Sequence, residues 1–187
     1  DPLLSTTAAI SSFGKTPHLG PSVLRTRSRH GTTRALGSLA SAQSTGTEKT
    51  MDAVVQLLNY AASHPDAKVR YRASDMYLWG HSDASYLSEP HSRSRIGGYF
   101  FLSDRPMDPS RPPTPQDKPP TPNGAIHVVT HLMKEVVSSA AEAETGGLFY
   151  NGKEACPIRT TLSELGFPQG PTPIQTDNST ACGIAND

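Results

Sequence analysis

Apolar positions recur at helical spacing from Thr47 onward, where Met51, Val54, Val55, Leu58 and Ala62 share one face. Thr47 is the expected N-cap, with Glu48 near the positive end of the dipole. His64-Pro65-Asp66 ends the helix, because a residue before proline avoids helical geometry. The pattern then turns to strand. A first strand is expected from about Val69 or Met76 to Ala84, carrying Tyr71, Tyr77, Leu78 and Trp79, and a second from Gly97 to Leu102. Proline dominates residues 106–122, which cannot supply a ladder of donors and read as an exposed insertion closed by the turn signal Asn123-Gly124. A third strand covers Ala125 to Val129, with a continuation to Val137 after a bend. Ser139, with Glu142 three residues on, forms a capping box that opens a helix from Ala140 to about Glu154, or on to Leu165. Pro157 is expected to kink or break that helix, and Gly166-Phe167-Pro168 to end it. A fourth strand at Thr172–Asp177 and a helix from Ser179 to Ala185 complete the order. Strands followed by a helix–strand–helix alternation predict a mixed α/β fold, a mixed sheet flanked by helices.

Three segments follow from the same pattern. Residues 1–34, rich in Ser, Thr, Gly, Pro and Arg without sustained period, read as disordered. Residues 35–68 hold the linker helix, and 69–187 the main domain with its proline-rich insertion. That insertion is a spacer, or a polyproline ligand for a small partner domain.

Composition narrows the function classes. With 187 residues and a formal net charge of zero, no global field draws the chain to nucleic acid. Local basic clusters remain at Arg25, Arg27, Arg29 and His30, and at Arg93 and Arg95. Cys156 and Cys182 have neither metal-ligand spacing nor a disulfide framework, which suits a reducing compartment. Without a signal-peptide pattern or a membrane-length apolar run, the chain is expected to be neither secreted nor membrane-bound, and the Asn178-Ser179-Thr180 sequon to be idle.

Three acidic motifs carry the chemistry: Gly80-His81-Ser82-Asp83-Ala84-Ser85, Ala141-Glu142-Ala143-Glu144 and Gln175-Thr176-Asp177-Asn178-Ser179. Asp83 and Asp177 are expected at the ends of neighbouring strands. Two such aspartates and a helix-borne glutamate can converge on a pair of magnesium ions about 3.5–4 Å apart and cut a phosphodiester. Glu142 and Glu144 point roughly 200° apart on a helix, so only one faces the site. Glu142 is taken by the capping box, which leaves Glu144. Each motif also has a plainer reading, Asp83-Ala84-Ser85 as a turn and Asp177-Asn178-Ser179 as a helix cap. His81, His127 and His131 are weaker ligand candidates, lacking a helical pair with a nearby glutamate. Arg93 and Arg95 form either a basic hairpin against phosphates or a solvated turn.

The run Trp79-Gly80-His81-Ser82-Asp83-Ala84-Ser85-Tyr86, then Ser92-Arg93-Ser94-Arg95-Ile96-Gly97-Gly98-Tyr99-Phe100, resembles the ribonuclease H domain of copia-type LTR retrotransposon polyproteins. So do Ser138-Ser139-Ala140-Ala141-Glu142-Ala143-Glu144, and Glu164-Leu165-Gly166-Phe167-Pro168-Gln169 leading into Thr176-Asp177-Asn178-Ser179-Thr180-Ala181. The resemblance spans roughly Ala35 to Asn186. It implies a ribonuclease H-like five-stranded mixed sheet with helices on its faces. It also implies hydrolysis of the RNA strand of RNA/DNA hybrids with two Mg2+ or Mn2+ ions, beside the reverse transcriptase domain of a parent polyprotein. Asp83, Glu144 and Asp177 would be the first-strand, helix and fourth-strand ligands, with Asp83 bridging both ions. Arg93, Arg95, Ser85 and Asn178 are the implied nucleic-acid contacts, and Thr47–His64 resembles the linker between polymerase and nuclease. The implied location is cytoplasmic, in a virus-like particle, or nuclear.

The chain departs from the family in three ways. Residues 1–34 do not resemble the end of a reverse transcriptase. The family continues past Asn186 with the rest of a helix, a fifth strand and a last helix bearing a fourth carboxylate, so a C-terminally truncated domain with an open sheet edge is expected. Val128 and Met133 stand where many relatives carry tryptophan and glutamine, and Pro157 interrupts the ligand-bearing helix. The alternative to a nuclease is therefore an inactive retroelement remnant that at most binds nucleic acid or a partner.

Overall fold

A computed structural model describes residues 10–12, 35–108 and 119–186. The Arg25–His30 cluster, most of the segment expected to be disordered and residues 109–118 of the insertion lie outside them. The chain divides into two compact units, one of Thr16–Val69 and one of Arg70–Asp187 with the residues through Lys15.

In the first of these units, α1 is described over residues 35–41, and α2 spans Glu48–Ser63. Thr47 caps α2 by accepting from the Thr50 N–H, and the Thr50 hydroxyl accepts from the Thr47 N–H in return. The expected apolar face is present, yet no residue of α2 is buried.

The larger unit is a mixed α/β layer structure. Its strands are β1 (Ile10–Ser12), β2 (Tyr77–Glu89), β3 (Arg93–Ser103), β4 (Ala125–Leu132) and β5 (Ile174–Thr176), in the spatial order β1-β5-β2-β3-β4. The β2–β3 and β3–β4 pairs are antiparallel, whereas β5 runs parallel to β2 and β1 parallel to β5. The outer side of β5, expected to be open, thus carries the short β1, with Ile10 opposite Ile174. The helices are α3 (Ala140–Glu164) and α4 (Ser179–Asn186).

Strand alternation separates two apolar sets. Leu78, Ile96, Phe100, Val129 and Ile174 pack against Ala143, Leu148, Ala155 and Leu162 of α3 and Ala181 of α4. Trp79, Tyr99 and Phe101, one residue out of phase, form a second cluster with Tyr77 and Ala125. The Trp79 indole N–H donates to the Arg105 carbonyl at 2.7 Å, so the buried ring leaves no orphaned donor.

Several boundaries differ from expectation. β2 runs past Ala84 to Glu89 and β3 starts at Arg93, because the two keep pairing down to Ser85 opposite Arg95 and, after a bulge, Glu89 opposite Arg93. β4 continues to Leu132, where it pairs with Arg95. α3 passes through Pro157 without ending. That proline is exposed, so the carbonyl it leaves without a donor lies on the solvent side of the helix. The buried Ala155 and Leu162, with Ile158 partly buried, hold both flanks on the sheet.

Candidate metal centre

Parallel pairing brings the two aspartates together. Gly80 is opposite Ile174 and His81 opposite Gln175. The same offset carried two residues further sets Asp83 beside Asp177, the residue after the end of β5. Asp83 is therefore not at a strand end, as expected, but in the interior of β2. The convergence comes from β5 stopping there, which leaves the two side chains at the mouth of the β2–β5 pair.

The third carboxylate arrives from α3. Ser139 caps the helix, its hydroxyl accepting from the Glu142 N–H at 3.1 Å. Glu144 then lies in the second turn on the stripe of Ala143, Gly147, Leu148, Asn151 and Ala155 that faces the sheet. One ligand oxygen from each of Asp83, Glu144 and Asp177 lies within 4.8 Å of the others, a group that can hold a metal ion. Among the described residues this is the group of that kind.

The two glutamates of the helix start have opposite environments. Glu142 is exposed, and its Oε2 accepts from both the N–H and the hydroxyl of Ser138 at 2.7 Å. The expected reciprocal bond of the capping box goes to Ser138, one residue before the cap. These bonds favour the anion and hold the Glu142 carboxyl below its ordinary range. Glu144 is 7 % exposed, and its Oε1 accepts from the Ala84 N–H at 3.2 Å. Burial pushes its carboxyl up to about 7; the Ala84 N–H pulls the other way, and the negative charges of Asp83 and Asp177 add to the rise. Its Oε2 is buried with no hydrogen-bond partner. A buried, unpaired carboxylate oxygen beside two further carboxylates is a costly arrangement that a hard cation would relieve.

The other candidates do not join this group. His81 stacks on Phe101, His127 Nε2 lies 3.2 Å from Glu154 Oε2, and His131 meets the edge of Tyr150. Arg93 is exposed at the start of β3. Arg95, expected beside it on a solvent-facing hairpin, is buried instead, its Nε 2.9 Å from Glu89 Oε1. Glu89 follows the irregularity in the β2–β3 pairing and binds Arg95 from β2, so Arg95 braces the hairpin rather than facing a ligand. Ser85 is half-buried and accepts from the Ser88 hydroxyl. Asn178 caps α4, its Oδ1 accepting from the Ala181 N–H at 3.0 Å. That is the plainer reading for this residue, while the neighbouring Asp177 belongs to the acidic group.

Comparison with protein-family models, with curated proteins and with solved structures finds no match. Among the described residues no helix is long and apolar enough to cross a membrane.

Sequence reasoning missed the residues that bring α3 close. Gly147 lies so near the sheet that a Cβ there would meet Ala84 Cβ at 3.3 Å and Ser82 Oγ at 3.4 Å. Asn151 is fully buried beneath the same stripe. The available signal was spacing: Glu144, Gly147 and Asn151 fall at helical intervals of three and four.

Proposed function

We propose that the chain is a ribonuclease H-type module that hydrolyses the RNA strand of an RNA/DNA hybrid at Asp83, Glu144 and Asp177. The observation that carries this reading is the convergence of three carboxylates from β2, α3 and the end of β5. The motif resemblance to copia-type ribonuclease H domains supplies the substrate, and the acidic donor set suits Mg2+ or Mn2+. In this reading Asp83, Glu144 and Asp177 would hold the pair of ions through their carboxylate oxygens. When bound, such a pair supplies an activated water and a stabilised leaving 3′ oxygen.

The chain's own residues have distinct tasks. Asp83 and Asp177 are exposed, so their carboxylates are open to an incoming cation. Glu144 is the buried floor of the site, oriented by the Ala84 N–H. It binds a cation only as the anion, so the proton on its carboxyl must leave. Its raised pKa, about 7, makes metal affinity and cleavage rise as pH increases through neutrality and level off above it. Arg93 and Ser85 remain the candidate contacts to the hybrid.

The test is incubation of the full chain with an RNA/DNA hybrid and Mg2+, beside an Asp83→Asn variant. Metal-dependent cleavage of the RNA strand, lost in the variant, is the expected outcome. A chain that is folded by circular dichroism and leaves the hybrid intact sinks the catalytic reading in favour of a remnant.

A further inference from the structure

Asn151 sits seven residues after Glu144 on the inward stripe of α3 and is completely buried. Its amide nitrogen donates to Ser82 Oγ and to the Gly97 carbonyl, each at 2.9 Å. Both acceptors belong to the surroundings of Asp83. Ser82 precedes it on β2, and Gly97 is its partner across the β2–β3 ladder. The amide orientation follows from the bonds, since the Gly97 carbonyl can only accept.

The backbone is shaped to admit this side chain. A Cβ on Gly98 would stand 2.0 Å from Asn151 Oδ1, a separation no substituent survives. The Oδ1 itself is buried without a hydrogen-bond partner. A buried amide with an orphaned oxygen is an expensive way to fill a core position, where alanine or leucine would give packing without a desolvated polar atom. Gly147, between Glu144 and Asn151, lets the helix approach closely enough for both contacts.

We infer that Asn151 is a positioning residue for the carboxylate group: it locks the register of α3 against β2 and β3 and so sets where Glu144 stands relative to Asp83. Glu144 has a bond of its own to β2, through the Ala84 N–H. The two anchors, on Ala84 and on Ser82 with Gly97, bracket Asp83 and define the helix position along the strand. Removing the second lets α3 slide or tilt about the first, which moves Glu144 out of reach of a cation held by Asp83 and Asp177. This inference rests on the carboxylate site of the proposed function, not on the identity of the nucleic acid.

The decisive experiment does not require metal. In the full chain, with a chelator at pH 8, a double-mutant cycle between Asp83→Asn and Glu144→Gln in urea unfolding measures how strongly the two carboxylates oppose each other. The cycle is repeated in an Asn151→Ala background. The coupling is expected in the parent chain and should fall by about half or more without Asn151. No coupling in the parent, or the same coupling in both backgrounds, overturns the inference. Ser82→Ala, which removes one of the two bonds at the cost of one hydroxyl, serves in the same cycle if Asn151→Ala does not fold. A Mn2+ titration followed by its magnetic resonance signal is the second readout. Asn151→Ala should weaken binding about tenfold, as loss of a residue that orients ligands does, and Asp83→Asn should weaken it further. Equal affinity in parent and Asn151→Ala overturns the inference. A parent with intact coupling but no Mn2+ affinity removes the proposed function and leaves the cycle to decide the role of Asn151.

Discussion

Two helices of this chain reverse what their sequences suggest. α2 has the cleaner apolar stripe, yet Met51 and Leu58 are each 63 % exposed and nothing in it is buried. α3 carries glycines, a proline, an asparagine and several acids, yet it has seven buried residues and packs the sheet. The contrast shows that amphipathic periodicity measures which face a helix could bury, not whether the described residues bring a partner surface to it. It also shows that an inward face need not read as apolar. On α3 the stripe includes Glu144, Gly147 and Asn151, because close approach and hydrogen bonding do there what bulk does elsewhere.

The sharpest way to break this contrast is to truncate one leucine on each helix. Leu148→Ala, at a buried core position, should destabilise the larger unit by about 2–5 kcal/mol in urea unfolding. Leu58→Ala should change the same transition by less than about 0.5 kcal/mol, as exposed positions do. Equal effects would mean that α2 is packed in solution.

A smaller effect sharpens the role of the inward acid. Between an unfolded value near 4.5 and the folded value of about 7, the folded state binds more protons at Glu144 than the unfolded state. Metal-free stability should therefore fall as pH rises through that window and flatten above it. Glu144→Gln should remove this loss, stabilising the metal-free chain at pH 8 by on the order of 2 kcal/mol and by little at pH 4. Denaturant midpoints at the two pH values check it. If the substitution has the same effect at both, Glu144 is not the strained member of the group.

A further, smaller loss concerns the caps. Ser139→Ala removes the acceptor for the Glu142 N–H and should cost about 1 kcal/mol of the larger unit's stability. Thr47→Ala, at the same position on α2, should lower helical circular dichroism near that helix while leaving the larger unit's unfolding midpoint in place.

Local chemistry was legible because it is local. The caps at Thr47 and Ser139, the stop before Pro65 and the three acidic motifs each depend on residues within a turn or two of one another. So was the choice of Glu144 over Glu142, which follows from helical angle and cap geometry alone. Strand ends were less legible, because the limits of β2, β3 and β4 are set by partners distant in sequence, as Ser85 against Arg95 and Arg95 against Leu132 show. Arg95 was misread for the same reason: a guanidinium between two strands reads as solvated until Glu89 is seen beside it.

The sequence by itself determined the alternation of elements from Thr47 onward, the mixed α/β class and which carboxylates were available, but not β1, which lies in the segment expected to be disordered. Only the tertiary structure decided that β1 lies along β5, that α3 persists through Pro157, and that Asn151 spans from helix to sheet at Ser82 and Gly97. Pattern along a chain reports what each residue prefers. Which preferences are satisfied depends on surfaces that segments far apart in sequence, here β2, α3 and β5, present to one another only after folding.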